Sequence, residues 1–316
     1  MSLIIGGHRG SGCTDSPHAQ ALLRPLGQQK PPENTLESIA LAIKNGAKLI
    51  EVDVVQTADN QLVVTHSNRL SEHVFRAENL GFVADYTYAQ LKRFPVGAEG
   101  TAEGTHTMPL LSEVLDLCKN ILLNIEIKDV KGTPTAKFSA NHPPLVDLLA
   151  AAVSDHSGAL IVSSFSTWDL EAMRDRLPHI PRGQLFDTLH SHPRPIYAED
   201  CLDKSAYMPF TVDSILAALT RADIQYAHPC IDSMNAEVVA KCAEFNLGIN
   251  TWALNEVLPE DNFQALADAV TLCREHSVQL GIITDYVPEM LALLPRLSVS
   301  TALESGLGGW AEGLDL

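Results

Sequence analysis

Basic residues are scarce in this chain: 22 Lys and Arg stand against 39 Asp and Glu, a formal net charge of −17. A surface that acidic repels a phosphate backbone, which argues against general nucleic-acid binding. It also means that an anionic substrate must be met by a few local cations or a metal. Long apolar runs are missing too. No stretch approaches the ~20 consecutive apolar residues of a membrane-spanning helix, so no stable membrane insertion is expected. The first residues, MSLIIGGHRG, carry neither the basic nor the apolar segment of a secretory signal. The six cysteines (13, 118, 201, 230, 242, 273) include no C-x-x-C pair. They read as reduced, mostly packing thiols rather than a disulfide framework, and the expected location is cytoplasmic. Internal repeats and linkers are absent. What remains is 316 residues of ordinary globular composition, 46% apolar, enough for a large core.

Short β-branched runs alternate with helical patterns, the mark of an α/β fold. Eight runs read as strands: Leu3–His8, Leu49–Val55, Ile121–Lys128, Leu160–Phe165, Arg182–Phe186, Gln225–Pro229, Leu247–Ala253 and Gln279–Asp285. Helical stretches separate them at Asn34–Asn45, Leu111–Lys119, Pro144–Asp155, Thr167–Arg176, Val212–Ala222, Asn235–Glu244 and Asn262–Glu275. Asn34, Ser166 and Asp261 stand at helix starts as cap-type residues. Eight strand–helix units predict a (β/α)8 TIM barrel, read as a single domain over residues 1–316. A ninth run, Leu62–His66, follows the second strand too closely for a crossover helix, so the two form an antiparallel hairpin around Asp59-Asn60. That register sets Val52 and Asp53 opposite His66 and Thr65. Ser67–Met108 is too long for an ordinary connection and reads as a small insertion over the barrel mouth. A shorter insert, Ser11–Lys30, follows the first strand, and residues 298–316 read as a peripheral tail.

In a barrel, polar residues at the C-terminal ends of strands line the active site. The chain places His8-Arg9 at the end of the first strand, Glu51 and Asp53 on the second, His66 at the end of the hairpin, and Glu126 and Lys128 on the next barrel strand. Residues two apart on a strand share a face. Buried unpaired charge costs several kcal/mol or is neutralised. Three carboxylates with two cations therefore suggest a metal and an anion. The glycines around His8 allow a ligand to approach the backbone closely. The other ten histidines (18, 73, 106, 142, 156, 179, 190, 192, 228, 276) are assigned to loops or surface faces.

The ordered set His8-Arg9-Gly10, Pro32-Glu33-Asn34-Thr35, Glu51-Val-Asp53, Thr57-x-Asp59 and Val64-x-His66 resembles the glycerophosphodiester phosphodiesterase family. The resemblance continues through Leu123–Lys128, Ser163-Ser164-Phe165, Asn250-Thr251-Trp252 and Gly281–Asp285. It implies a (β/α)8 barrel with a small insertion after the hairpin. It further implies metal-dependent hydrolysis of a glycerophosphodiester to sn-glycerol 3-phosphate and an alcohol. His8 and His66 correspond to the acid–base pair, Arg9 and Lys128 to the phosphate-binding cations, and Glu51, Asp53 and Glu126 to the ligands of Mg²⁺ or Ca²⁺. Glu33 corresponds to a residue behind Arg9 or the metal, and Trp252 to a pocket wall against the alcohol. The implied partner is a small-molecule diester; the sequence does not specify an oligomeric state. Two departures stand out: Ser67 follows His66 where the family has Asp, and the 11–30 insert is unusually long. The alternatives are a phosphodiesterase acting on a lysophospholipid or another diester, and a barrel that binds a phosphate ligand without catalysis.

Overall fold

The computed structural model describes residues 3–14, 30–66, 68–70, 80–97, 106–128, 144–186, 209–252 and 258–304. Ser67, most of the 11–30 insert and the chain beyond residue 304 lie outside them. In chain order the elements are β1 (Leu3–Gly7), α1 (Leu36–Lys44), β2 (Leu49–Gln56), β3 (Leu62–Val64), α2 (Tyr88–Leu91), α3 (Leu111–Leu117), β4 (Leu122–Ile127) and α4 (Leu145–Val153). They continue with β5 (Leu160–Ser164), α5 (Thr167–Arg176), β6 (Arg182–Phe186), α6 (Val212–Ala222), β7 (Tyr226–Pro229), α7 (Ala236–Glu244), β8 (Gly248–Trp252), α8 (Phe263–Glu275), β9 (Leu280–Thr284) and α9 (Val287–Glu304). The strands pair in the order β1-β9-β8-β7-β6-β5-β4-β2-β3, and a β1–β2 pairing closes the circle. β1, β2 and β4 to β9 are parallel; β3 alone runs antiparallel, on β2. This is the TIM barrel expected from eight strand–helix units. The tail's first residues continue helix α9.

Three local assignments change. The cap of α1 is Thr35, whose side chain accepts from the Ser38 N–H, rather than Asn34. Asn34 sits at φ +57° and is used elsewhere. The N-cap of α8 is Asn262, one residue after Asp261, and it makes no side-chain cap bond. His228 is fully buried rather than on a loop or surface. Along β7, Ala227 joins the core between barrel and helices, so alternation turns Tyr226 and His228 into the lumen. Ser166 caps α5 as expected.

One face of every barrel strand packs against the helices: Ile50 and Val52, Leu123 and Ile125, Leu160 and Val162, and Ile282 all belong to that core. The other face fills the lumen. Neighbouring strands are staggered, so side chains from alternate strands meet in layers. The pairings identify the layers. Glu51 opposes Asn124, which opposes Ile161, and two residues on, Ser163 joins the layer of Glu51. Ser163 opposes Gly183, which opposes Tyr226, and this brings in His228. The β7–β8 and β8–β9 pairings bring in Ile283, which opposes Gly6, and Gly6 opposes Leu49, so the circuit returns to Glu51. The same construction puts Gly6, Asn124, Gly183 and Asn250 one layer below. One layer above lie His8, Glu126, Leu185 and Trp252, with Asp53, Phe165, Cys230 and Asp285 at the rim.

The hairpin register is Val54↔Val64, Val55↔Val63 and Gln56↔Leu62, extended by a Thr65 N–H to Asp53 carbonyl bond of 3.0 Å. Thr65 therefore faces Asp53, as the turn at Asp59-Asn60 requires. The insertion after it builds a second, separate core from Leu70, Val83, Leu91, Val96 and Met108 against Val55 and Val63 of the hairpin. Its return segment is tied to α1 by His106 Nδ1 and Glu37, 3.3 Å apart.

At the opposite end of the barrel, Arg182 is only 1% exposed. Its guanidinium donates to the carbonyls of Ile180 (2.6 Å), Asp223 (2.8 Å), Ala222 (2.9 Å) and Pro178 (3.1 Å), stapling β6 to the end of α6. An unsatisfied buried acceptor costs ~1–3 kcal/mol. Arg182→Ala should therefore destabilise the chain by about 3–5 kcal/mol in urea unfolding. A loss below about 1 kcal/mol would show that water replaces the guanidinium.

Candidate active site

The chain leaves β1 through a tight turn in which Arg9 and Gly10 both adopt positive φ, +49° and +86°. A Cβ on Gly10 would lie 2.7 Å from the Ile39 nitrogen, so only glycine lets α1 pack this closely. The turn points the Arg9 N–H at Glu51 Oε2 (2.9 Å) and brings its guanidinium back over the rim. There Nη1 donates to Glu33 Oε1 at 2.6 Å, and Nε lies 3.5 Å from Asp53 Oδ2. The second Glu33 oxygen accepts from the Thr14 N–H at 2.7 Å. Glu33 thus lies before the first turn of α1 and orients Arg9.

Asn34 straps the same corner together. Its N–H donates to the Arg9 carbonyl at 2.9 Å, and its side-chain amide donates to Asp53 Oδ2 at 2.9 Å. Lys128 enters from β4, with Nζ 2.5 Å from Glu126 Oε1 and 3.0 Å from Asp53 Oδ1. Glu51, Asp53 and Glu126 are all buried and offer oxygens within 4.8 Å of one another.

His8 sits above Glu51, its Nε2 3.9 Å from Glu51 Oε2. Its Nδ1 is 2.7 Å from Asp285 Oδ1, which also accepts from the Cys13 N–H at 2.8 Å. Lys30 donates to the Asp285 carbonyl at 2.7 Å and the Ser11 carbonyl at 3.0 Å, joining the β9 end to the turn after β1. His66 lies just beyond Thr65 on the hairpin, half-buried beside the Asp53 edge. Trp252, in the layer of His8 and Glu126, is held by an indole N–H bond to the His228 carbonyl at 3.2 Å.

The structure thus gathers Arg9, Glu33, Glu51, Asp53, Glu126, Lys128 and His8 into one contiguous network, with Trp252 in the layer of His8 and His66 on the adjoining hairpin. Sequence reasoning assigned no site role to Asp285 and read Asn34 only as a helix cap. Asp285 carries the same signal as His8, a polar residue closing a barrel strand. Asn34 carries a cap signal and a place in the Pro32-Glu33-Asn34-Thr35 motif, but its bond to Asp53 depends on the turn at Arg9.

Burial alone would drive all three carboxyls of the cluster upward. For Asp53 the nearby Lys128 and Arg9 and the Asn34 bond outweigh burial and hold it below the usual range. Glu126 stays raised by burial despite Lys128. Glu51 is pushed up to about 8 by burial and by Asp53. For His8 burial acts downward, but Asp285 prevails and raises it.

The donor set fits a divalent metal. It is all carboxylate oxygen, as hard cations such as Mg²⁺ and Ca²⁺ prefer. Glu51 Oε1 is buried without a hydrogen-bond partner among the described residues, and the cluster is short of positive charge. In metal-free protein the raised Glu51 carboxyl supports folding below its ordinary value of 4.5, and that contribution is lost as pH rises toward 8. Metal-free Glu51→Gln should therefore melt a few degrees above the parent at pH 8, with the gap closing near pH 4.5. Thermal unfolding in chelator checks this; a gap independent of pH would contradict it.

Comparison with known proteins places this geometry in context. Residues 8–289 match the model of the glycerophosphoryl diester phosphodiesterase family. A glycerophosphodiester phosphodiesterase of Caldanaerobacter subterraneus is 33% identical over 161 residues, 49% of this chain and 61% of the relative. One from Bacillus altitudinis is 33% identical over 168 residues, 50% and 63%. These alignments span less than two thirds of the relatives' length. A phosphodiesterase of Oleispira antarctica, solved with its product sn-glycerol-3-phosphate, superimposes with a TM-score of 0.65 over 92% of this chain and 96% of its own, at 20% identity; that likeness concerns the fold. On the extent of the family match, this chain belongs to the glycerophosphoryl diester phosphodiesterase family.

Proposed function

We propose that the chain hydrolyses glycerophosphodiesters to sn-glycerol 3-phosphate and an alcohol, with Mg²⁺ or Ca²⁺ on Glu51, Asp53 and Glu126. The observation that carries this reading is the network itself. Three buried carboxylates, Arg9, Lys128 and a carboxylate-held histidine converge at the C-terminal rim of a barrel of this family. The product named for the Oleispira relative belongs to the same chemistry. Within this reading residues 1–316 form one domain, the 67–108 insertion shapes the choice of alcohol, and the protein works in the cytoplasm. Among the described residues no helix is long and apolar enough to cross a membrane.

Cleaving a phosphodiester builds negative charge on phosphorus oxygens and on the departing alkoxide, and preorganised positive charge lowers that barrier. A bound divalent cation supplies part of it. Arg9 and Lys128 supply the rest, and Glu33 holds the Arg9 fork pointing across the rim so that little ordering is needed when phosphate arrives. Asp285 accepts the Nδ1 proton of His8 and so leaves Nε2 to exchange a proton at the reacting oxygens. His66, one residue beyond the Thr65 that bonds Asp53, is the second histidine of this reading. Together the two donate to the leaving alkoxide and accept from the nucleophile. Trp252 walls the pocket against the alcohol.

Release of glycerol 3-phosphate from a panel of glycerophosphoalcohols should stop after chelation and return with Mg²⁺ or Ca²⁺. Undiminished release from exhaustively metal-free protein would overturn the metal assignment. His8→Ala and His66→Ala should each lower kcat roughly 10²–10⁴-fold, with effects far from additive. A nitrophenyl diester, whose leaving group needs no proton, should rescue one of the two and thereby name the acid. Near parental rates in both variants on natural diesters would show that the chemistry lies elsewhere.

A further inference from the structure

Four buried polar atoms in the lumen are bonded by no described group: Glu51 Oε1, Ser163 Oγ, His228 Nδ1 and Asn124 Oδ1. The register puts the first three in one layer and the fourth directly beneath. Barrel layers are ordinarily filled by branched aliphatic side chains. Here only Ile283 of the Glu51 layer is apolar, and the layer below contains Gly6 and Gly183.

His228 is fixed in place. Its ring lies over Gly183, where a Cβ would come within 2.5 Å of Nε2. The Asn250 side-chain nitrogen lies 3.1 Å from Nε2, and Tyr226 packs edge-on at 6.3 Å. With the Asn250 amide donating to Nε2, the neutral imidazole carries its proton on Nδ1. Burial keeps it neutral, its value pushed down to about 3. With Glu51 ionised, as a bound cation would hold it, the lumen presents one fixed donor, two acceptors and a hydroxyl that can serve as either. Each orphaned group costs ~1–3 kcal/mol, too much for four to remain unmet in a fold whose whole stability is ~5–15 kcal/mol. Ordered water, which takes two to four polar partners and both donates and accepts, is the small ligand that suits such a set.

We infer that the lumen beneath the carboxylate cluster is a water site, held by Ser163, His228 and Asn124, that hands a hydrogen bond to Glu51 Oε1 and so positions that carboxylate. Ser163 and His228 are positioning residues that act on Glu51 through water. Only the consequence for metal binding rests on the proposed function.

A high-resolution crystal structure should show ordered water within hydrogen-bonding distance of His228 Nδ1 and Ser163 Oγ. A dry lumen, or direct bonding among these side chains, would overturn the inference. Calorimetric titration with Ca²⁺ and Mg²⁺ reads the consequence without any turnover. Ser163→Ala and His228→Phe should weaken metal binding roughly 10–100-fold, as loss of a group behind a metal ligand does. His228→Gln, whose amide can donate to the same water, should stay within about threefold. Equal weakening by Phe and Gln, or none by Ser163→Ala, counts against it. If His228→Phe does not fold, Ser163→Ala carries the test. A parent chain that binds neither metal removes the metal from the proposed function, and the lumen density still decides the water site.

Discussion

Three carboxyl groups held within 4.8 Å of one another in a buried lumen set the terms for everything around them. Such a cluster is affordable only with compensation, and the structure supplies it asymmetrically. Lys128 lies against Glu126 and Asp53, and Arg9 reaches Asp53 from the other side, so the positive charge gathers at the Asp53 end. Among the described residues Glu51 receives only a backbone N–H and a distant imidazole edge, and it holds its proton up to about 8. The side-chain charges thus leave a deficit at Glu51, where a cation gains most. The unusual backbone of Arg9 serves this arrangement, because the left-handed turn serves Glu51 with its N–H and Asp53 with its side chain.

The barrel geometry explains why so few residues suffice. Each layer takes one inward side chain from each of four alternate strands. The carboxylates come from two layers of lumen side chains and the rim above them, contributed by only β2 and β4. His8 and Trp252 share the layer of Glu126, and Asp285 shares the rim with Asp53. Ionisable side chains are concentrated in the upper half of the lumen. Below it, polar side chains and glycines replace the aliphatic packing common in such barrels, and the fixed imidazole of His228 stands at the boundary.

Much of this was legible in the sequence because its signals are local. β-branched runs bounded by helical periodicity marked all eight barrel strands, and a six-residue gap was too short for a crossover, which marked the hairpin. Residues two apart on a strand announced the Glu51/Asp53 and Glu126/Lys128 faces. What the sequence hid depends on contacts between distant segments. Asn34 has the chemistry of a helix cap, yet Thr35 takes that task because Asn34 is drawn to Asp53 across 19 residues. Asp285 pairs with His8 across 277 residues, at the seam where the barrel closes. His228 lies beside a proline in a strand of four residues, too short for alternation to reveal which way it faces.

The second core has a mechanical meaning. Val55 and Val63 belong to the insertion's apolar cluster, not to that of the barrel, and His66 follows three residues after Val63. His8, by contrast, is fastened to the barrel wall by Asp285 and by its own N–H to the Thr284 carbonyl at 3.0 Å. The two histidines are therefore held differently, one by the barrel wall alone and one on a hairpin whose Leu62 and Val64 face the barrel core while Val55 and Val63 face the insertion's core. The insertion's core thus backs onto the strand that leads to one of the two histidines and has no counterpart behind the other among the described residues.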